Sequence, residues 1–197
     1  MTTISRFSLL LLLSGLLAAC SPEGPKFRST DITGADFGKS LELTGHDGKP
    51  RVLEDFRGKL VVLFFGYTHC PDICPTTLAD TAAALKALGP EAARVQVLFV
   101  TLDPERDTPE ILGGYATAFH PDFLGLGGDA AATQRAAKEF KIFYEKRSGS
   151  APGAYTIDHS GQSYVLDAQG RLRLVIRHDR IAQDLAADLR ELLKSTS

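Results

Sequence analysis

Hydrophobic and polar positions along this chain form two kinds of pattern. Val61 to Phe65 is an unbroken apolar run closed by Gly66, and Val95 to Leu102 is a second, mainly apolar run. Short runs rich in β-branched and aromatic residues, bounded by Gly or Pro, predict strands buried on both faces. Leu78, Ala82, Leu85 and Leu88 instead recur at helical spacing until Gly89-Pro90 stops them. Thr108 and Pro109 predict the cap and first turn of a helix that passes Tyr115, Ala118 and Phe119 and ends at His120-Pro121. Asp129 predicts another cap, for a helix to about Phe140, with a short strand near Ile142 to Glu145. Ile181, Leu185, Leu189 and Leu192 line a C-terminal helix.

Turn chemistry supplies the remaining elements. A hairpin is predicted from Ser40–Thr44 and Arg51–Leu53 across His46-Asp47-Gly48, and another from Tyr164–Leu166 and Leu172–Ile176 across Asp167 to Gly170. Arg147 to Ala154, rich in Gly, Ser and Pro, reads as a loop leading to Tyr155-Thr156-Ile157-Asp158-His159-Ser160. The order hairpin, β, α, β, α, α, β, β, α predicts an α/β chain with a central mixed sheet flanked by helices.

The N-terminal residues carry a different signal. Arg6 precedes the apolar run Phe7 to Leu13, with Leu16 and Leu17 after it, and small residues follow. That is the form of a signal peptide, with an apolar region short for a membrane span. Leu17-Ala18-Ala19-Cys20 resembles the bacterial lipobox, which implies that Cys20 is lipidated and becomes the mature N-terminus. The expected organisation is a lipoprotein signal peptide over 1–19, a lipidated N-terminus and linker over 20–30, and one domain over 31–197. The three cysteines then reduce to one pair, Cys70 and Cys74. Net charge is −2, and removing Arg6 makes it more negative, which offers nothing to nucleic acid.

Cys70 and Cys74 are the main candidate chemistry. Each is followed by proline, and both lie where a buried strand turns into a helix, the place where open α/β sheets carry their sites. A spacing of four puts two sulfurs on one face of helical backbone, and a helix N-terminus favours thiolate. Such a pair suits Cu(I) or zinc, or cycles to a disulfide. Asp103, Glu105 and Asp107 read as loop and cap residues, since an alternating acidic turn lacks a complete calcium loop. His46 and His178 read as solvated and His120 as a boundary residue. His69 could tune Cys70 or only shape the turn.

Three blocks, FRGKLVVLFFGYTHCPDICPTTL, FVTLDPERDTPE and YTIDHSGQSYVLDAQGRLR, resemble the signatures of the Sco/SenC family, copper-binding proteins of cytochrome c oxidase assembly. The resemblance spans roughly residues 36 to 195. It implies a thioredoxin-like fold and copper, as Cu(I) or Cu(II), held by Cys70, Cys74 and His159. Asp158 reads either as a residue that orients the imidazole or as a plain loop acid. The resemblance implies a metal carrier that delivers copper to the binuclear copper centre of cytochrome c oxidase subunit II. Other periplasmic copper chaperones and a thiol reductant are the further expected partners. The expected location is the bacterial cell envelope, lipid-anchored on the periplasmic face, preferably of the inner membrane. Two soft thiolates and one imidazole suffice for Cu(I), whereas structural zinc wants four ligands. The alternative is a thiol-disulfide oxidoreductase with Cys70 and Cys74 as its redox pair; a redox or copper sensor fits the same residues. Related thioredoxin-fold reductases carry a proline before the strand that faces the cysteines, and here His159-Ser160-Gly161-Gln162-Ser163 contains none.

Overall fold

A computed structural model describes residues 24–194; the expected signal peptide and Cys20 lie outside the described residues. The chain forms a thioredoxin-like α/β fold built on an eight-stranded mixed sheet. Its strands, in chain order, are β1 (Thr30–Asp31), β2 (Glu42–Gly45), β3 (Pro50–Val52), β4 (Leu60–Gly66), β5 (Val95–Thr101), β6 (Leu124–Gly127), β9 (Gln162–Leu166) and β10 (Leu172–Arg177). Two further strands, β7 (Tyr144–Ser148) and β8 (Tyr155–His159), form a separate hairpin. The helices are α1 (Ile73–Leu88), α2 (Pro109–Phe119), α3 (Ala130–Glu139) and α4 (Ile181–Lys194). Spatial order in the large sheet is β1-β10-β9-β4-β5-β6-β2-β3. β4, β5 and β6 are parallel, and the other pairings are antiparallel.

All seven residues of β4 are buried, because the strand has a core on each side. Leu60, Val62 and Phe64 point into a cluster with Leu78, Leu85, Leu185 and Leu189 from α1 and α4. Val61, Leu63 and Phe65 point the opposite way, toward Leu41, Leu53, Ala137 and Phe140. Period-two alternation between two dry faces makes the run continuously apolar. At the C-terminal end of β4 the chain leaves the sheet, and the Leu102 amide, just past β5, donates to the Gly66 carbonyl at 2.7 Å.

The caps formed as predicted: Thr108 accepts from the Ile111 amide with Pro109 in the first turn, and Asp129 accepts from the Ala132 amide at 2.7 Å. Other expectations need correction. α1 starts at Ile73, ahead of Leu78 where the apolar periodicity begins, so Cys74 is itself helical. The predicted loop from Arg147 to Ala154 is mostly the tip of the β7–β8 hairpin, and its second strand lies outside every predicted element. β6, with two glycines in four residues, was also unassigned. The chain is docked from Phe27 onward, within the segment expected to be linker: the Arg28 and Ser29 amides donate to Asp188 at 2.7 and 3.0 Å, and β1 pairs with β10. Among the described residues no helix is long and apolar enough to cross a membrane.

Candidate metal centre

Three elements converge beyond the C-terminal ends of β4 and β5. The turn after β4 brings Cys70, the first turn of α1 brings Cys74, and the last residue of β8 brings His159. One ligand atom from each lies within 4.8 Å of the other two. The sequence named all three, and the structure brings them together. Cys74 is fully buried, with its sulfur 3.5 Å from His159 Nε2. Cys70 is half-buried, and its sulfur accepts the Cys74 amide at 3.4 Å. Both cysteines are free thiols. His159 Nδ1 lies 2.9 Å from the Ser160 carbonyl oxygen, which leaves Nε2 facing the sulfurs.

The two thiols are electrostatically unequal. Hydrogen bonding by Cys74 is the main cause that lowers Cys70 to about 4; burial opposes it, while His159 and the Asp72 and Cys74 amides assist. Cys74 moves the other way, well above the ordinary thiol range, because it donates to Cys70, is buried, and sits beside the Cys70 charge. The expectation that a helix N-terminus favours thiolate holds for Cys70 and not for Cys74. One low-pKa sulfur makes its close neighbour harder to ionise. A cation would remove that conflict and hold both as thiolates.

Residues with no metal-ligand signature shape the cavity. A Cβ on Gly66 would lie 2.7 Å from the Cys74 sulfur and 3.0 Å from Phe99, so only glycine leaves room for the thiol there. Tyr67, 2% exposed, stands edge-on to the His159 ring at 6.0 Å. Burial raises the Tyr67 phenol, against a hydrogen bond with the Ile157 backbone. Tyr115 packs on Phe99 at 5.3 Å, and its buried hydroxyl has no hydrogen-bond partner. Burial and then the charges of Cys74 and Cys70 raise that phenol strongly.

Two acids read as loop and cap residues are buried supports of this site. Asp107, 4% exposed, accepts from the Thr68 amide at 3.0 Å, the Thr68 hydroxyl at 2.6 Å and the Thr101 hydroxyl at 2.6 Å. It thereby fixes the turn two residues ahead of Cys70. Asp103, 0% exposed, accepts from the Tyr155 hydroxyl at 2.7 Å and from Arg106 Nε. Glu105 alone is a surface acid, paired with Lys146.

The histidines other than His159 sort differently from their sequence reading. His69 is directed to Thr68 Oγ1 at 3.1 Å and to Asp107 at 3.8 Å rather than to Cys70. His46 is not a solvated turn residue: its Nδ1 accepts the Gly125 amide at 3.1 Å, and its ring lies over Gly113. His178 is half-buried against Gly161 rather than solvated. His120 stacks on Phe123 at the helix boundary, where it was expected. Asp158 accepts from Arg147 Nε at 2.9 Å and is exposed, so it is engaged away from the His159 ring.

Residues 29–194 match the SCO1/SenC family. The chain belongs to it. An SCO2-like protein of Rickettsia felis is 34% identical over 159 residues, covering 79% of this chain and 78% of that one. Mitochondrial relatives are longer, and the chain spans 60% of the mouse protein. Among solved structures, apo Sco1 of Thermus thermophilus superposes with a TM-score of 0.76 at 42% identity, covering 85% of this chain and 97% of that one. Copper-bound ScoI of Bradyrhizobium japonicum gives 0.73 at 36%, covering 79% and 99%.

Proposed function

We propose that this Sco protein is a membrane-tethered copper carrier that holds the ion at Cys70, Cys74 and His159 and passes it to the binuclear centre of cytochrome c oxidase subunit II. The observation that carries the reading is the convergence of two sulfurs and one imidazole nitrogen within 4.8 Å, in a fold shared with a copper-bound relative. Cys70, ionised and half-exposed, is suited to meet incoming Cu(I) first. Cys74 then releases its proton to solvent as its sulfur forms the second bond to copper, and His159 Nε2 closes a low-coordinate site that the soft ion accepts. Release runs in reverse by ligand exchange: acceptor thiolates replace Cys70 first, because it is the accessible one. The oxidase as destination and Cys20 as a lipid anchor on the periplasmic face follow from the family resemblance and the lipobox. Cys20→Ala should abolish lipid labelling and membrane retention.

Loading the reduced protein anaerobically with Cu(I) should leave one tightly held ion per chain. His159→Ala should weaken it and Cys74→Ser should abolish it, together with oxidase assembly; normal assembly in a copper-free variant would sink the proposal.

A second reading, a thiol-disulfide oxidoreductase, is favoured by the contrast between one ionised, accessible thiol and one buried thiol. Cys70 thiolate would attack a substrate disulfide and expel one thiolate. Cys74, giving up its proton, would resolve the mixed disulfide to leave Cys70–Cys74 and a reduced substrate, and an external dithiol would restore the pair. Absence of copper retention, with dithiol activity unaffected by His159→Ala, would select this reading.

A further inference from the structure

The β7–β8 hairpin that carries His159 has little packing of its own. It forms no ladder with the eight-stranded sheet, and of its ten strand residues only Ile157 is buried. At its base the Ser160 amide donates to the Phe143 carbonyl at 3.0 Å and the Phe143 amide to the Ser160 hydroxyl at 3.1 Å, bonds that join the two arms to each other and not to the large sheet. The His159 ring meets the body of the domain edge-on at Phe64 and Tyr67, 6.2 and 6.0 Å between ring centres, and the exposed strand behind it needs a further support to hold the ring there.

Arg106 occupies the gap between the two. Its Nε donates to buried Asp103, and its Nη1 donates to the Tyr155 carbonyl at 3.1 Å. Its guanidinium lies 3.6 Å from the centre of the Tyr155 ring and 5.8 Å from that of Tyr67. Nη2 is buried with no hydrogen-bond acceptor, on a guanidinium that the two rings flank. The Tyr155 hydroxyl returns to Asp103 at 2.7 Å and closes the cycle. Tyr155 opens the strand that ends at His159, and Tyr67 opens the turn to Cys70. The neighbouring Lys146–Glu105 pair is exposed and adds little. We propose that Arg106 is a positioning residue for the metal centre: held by Asp103, it grips Tyr155 and thereby sets the distance of His159 from Cys70 and Cys74. The inference rests on copper binding by those three residues.

Removing an outer support of a ligating histidine typically costs about 10–100-fold in metal affinity. Arg106→Met should therefore weaken Cu(I) binding by about that factor, remove the nitrogen from the copper X-ray absorption spectrum and leave two sulfurs. Tyr155→Phe, which keeps the ring and loses the bond to Asp103, should fall between, and it serves if Arg106→Met does not fold. In a His159→Ala background Arg106→Met should add almost nothing. In metal-free protein it should speed amide exchange at residues 155–159 and leave β4 and β5 unchanged. Retained nitrogen coordination and affinity, or an equal loss with and without His159, would overturn the inference. If the parent protein fails to bind copper, the metal reading fails instead, and the exchange measurement still decides whether Arg106 seats the hairpin.

Discussion

At the scale of single residues, the site depends on a missing side chain and on an unequal pair of thiols. Gly66→Ala puts a methyl group 2.7 Å from the Cys74 sulfur, in a cavity where Phe99 and Phe64 also stand within 3.2 Å. Such overpacking should cost about 1–3 kcal/mol and displace the thiol, read together as a lower urea midpoint and weaker copper retention. An unchanged midpoint would mean that the surrounding rings yield. The thiol pair makes a pH prediction. The Cys70 pKa is lowered to about 4 in the folded protein, so between there and the ordinary thiol range the unfolded chain binds more protons. Its contribution to stability is complete above the unfolded value and is lost as pH falls through about 4. At pH 7 iodoacetamide should modify Cys70 and spare Cys74. Cu(I) loading should release about one proton, from Cys74, because Cys70 has already lost its own. Two protons, measured with a dilute pH indicator, would contradict the assigned asymmetry.

At the scale of elements, what the sequence discloses depends on how local the cause is. The two-sided burial of β4, the Thr108 and Asp129 caps and the Cys70–Cys74 turn are encoded within a few residues and were legible. His159 was legible only through family resemblance, since one histidine in a loop has no local mark. The buried roles of Asp103 and Asp107 were not legible: their partners Tyr155 and Thr68 are 52 and 39 residues away, and an acid beside Pro104 or Thr108 has the same local pattern as a cap. β8 escaped for a different reason: its five residues alternate in burial but fully bury only Ile157, and they follow directly on a Gly-, Ser- and Pro-rich segment that reads as loop. The β9–β10 hairpin was legible, and Asp167 explains its stability. Buried at 1% exposure, it accepts from the Gln169 and Arg171 amides, both at 3.0 Å, and from Arg171 Nε at 2.9 Å. Burial raises its pKa, but these bonds and the Arg171 charge outweigh it and hold the carboxyl below its ordinary value. That stabilisation is present above the unfolded pKa and fades as pH falls through the lower folded one. Asp167→Asn should cost about 1–3 kcal/mol at pH 7, and the difference from the parent protein should shrink below roughly pH 4. A difference independent of pH would assign the effect to shape rather than charge.

At the scale of the whole molecule, the sheet's C-terminal edge gathers the ligands while the opposite concern, where the chain enters the domain, falls to α4. Asp188, 1% exposed, takes the Arg28 and Ser29 amides, and Phe27 packs against the same core as α4. If Cys20 bears lipid, the chain between it and Phe27 can reach at most about 25 Å, seven residues fully extended. Under the proposed lipid anchoring, the clamp would shorten the tether and limit how far the copper site stands from the membrane. Asp188→Ala leaves two amides without their carboxylate and should cost about 1–3 kcal/mol in denaturant. It should also open Arg28 to trypsin while copper affinity stays unchanged, because Asp188 belongs to α4 and none of the three ligands is carried there. Continued protection of Arg28 would show that β1 pairing, Phe27 packing and the Arg28 bond to the Gln183 carbonyl suffice to hold the entry segment. A parallel loss of copper affinity would show instead that the entry clamp and the metal centre are mechanically one unit.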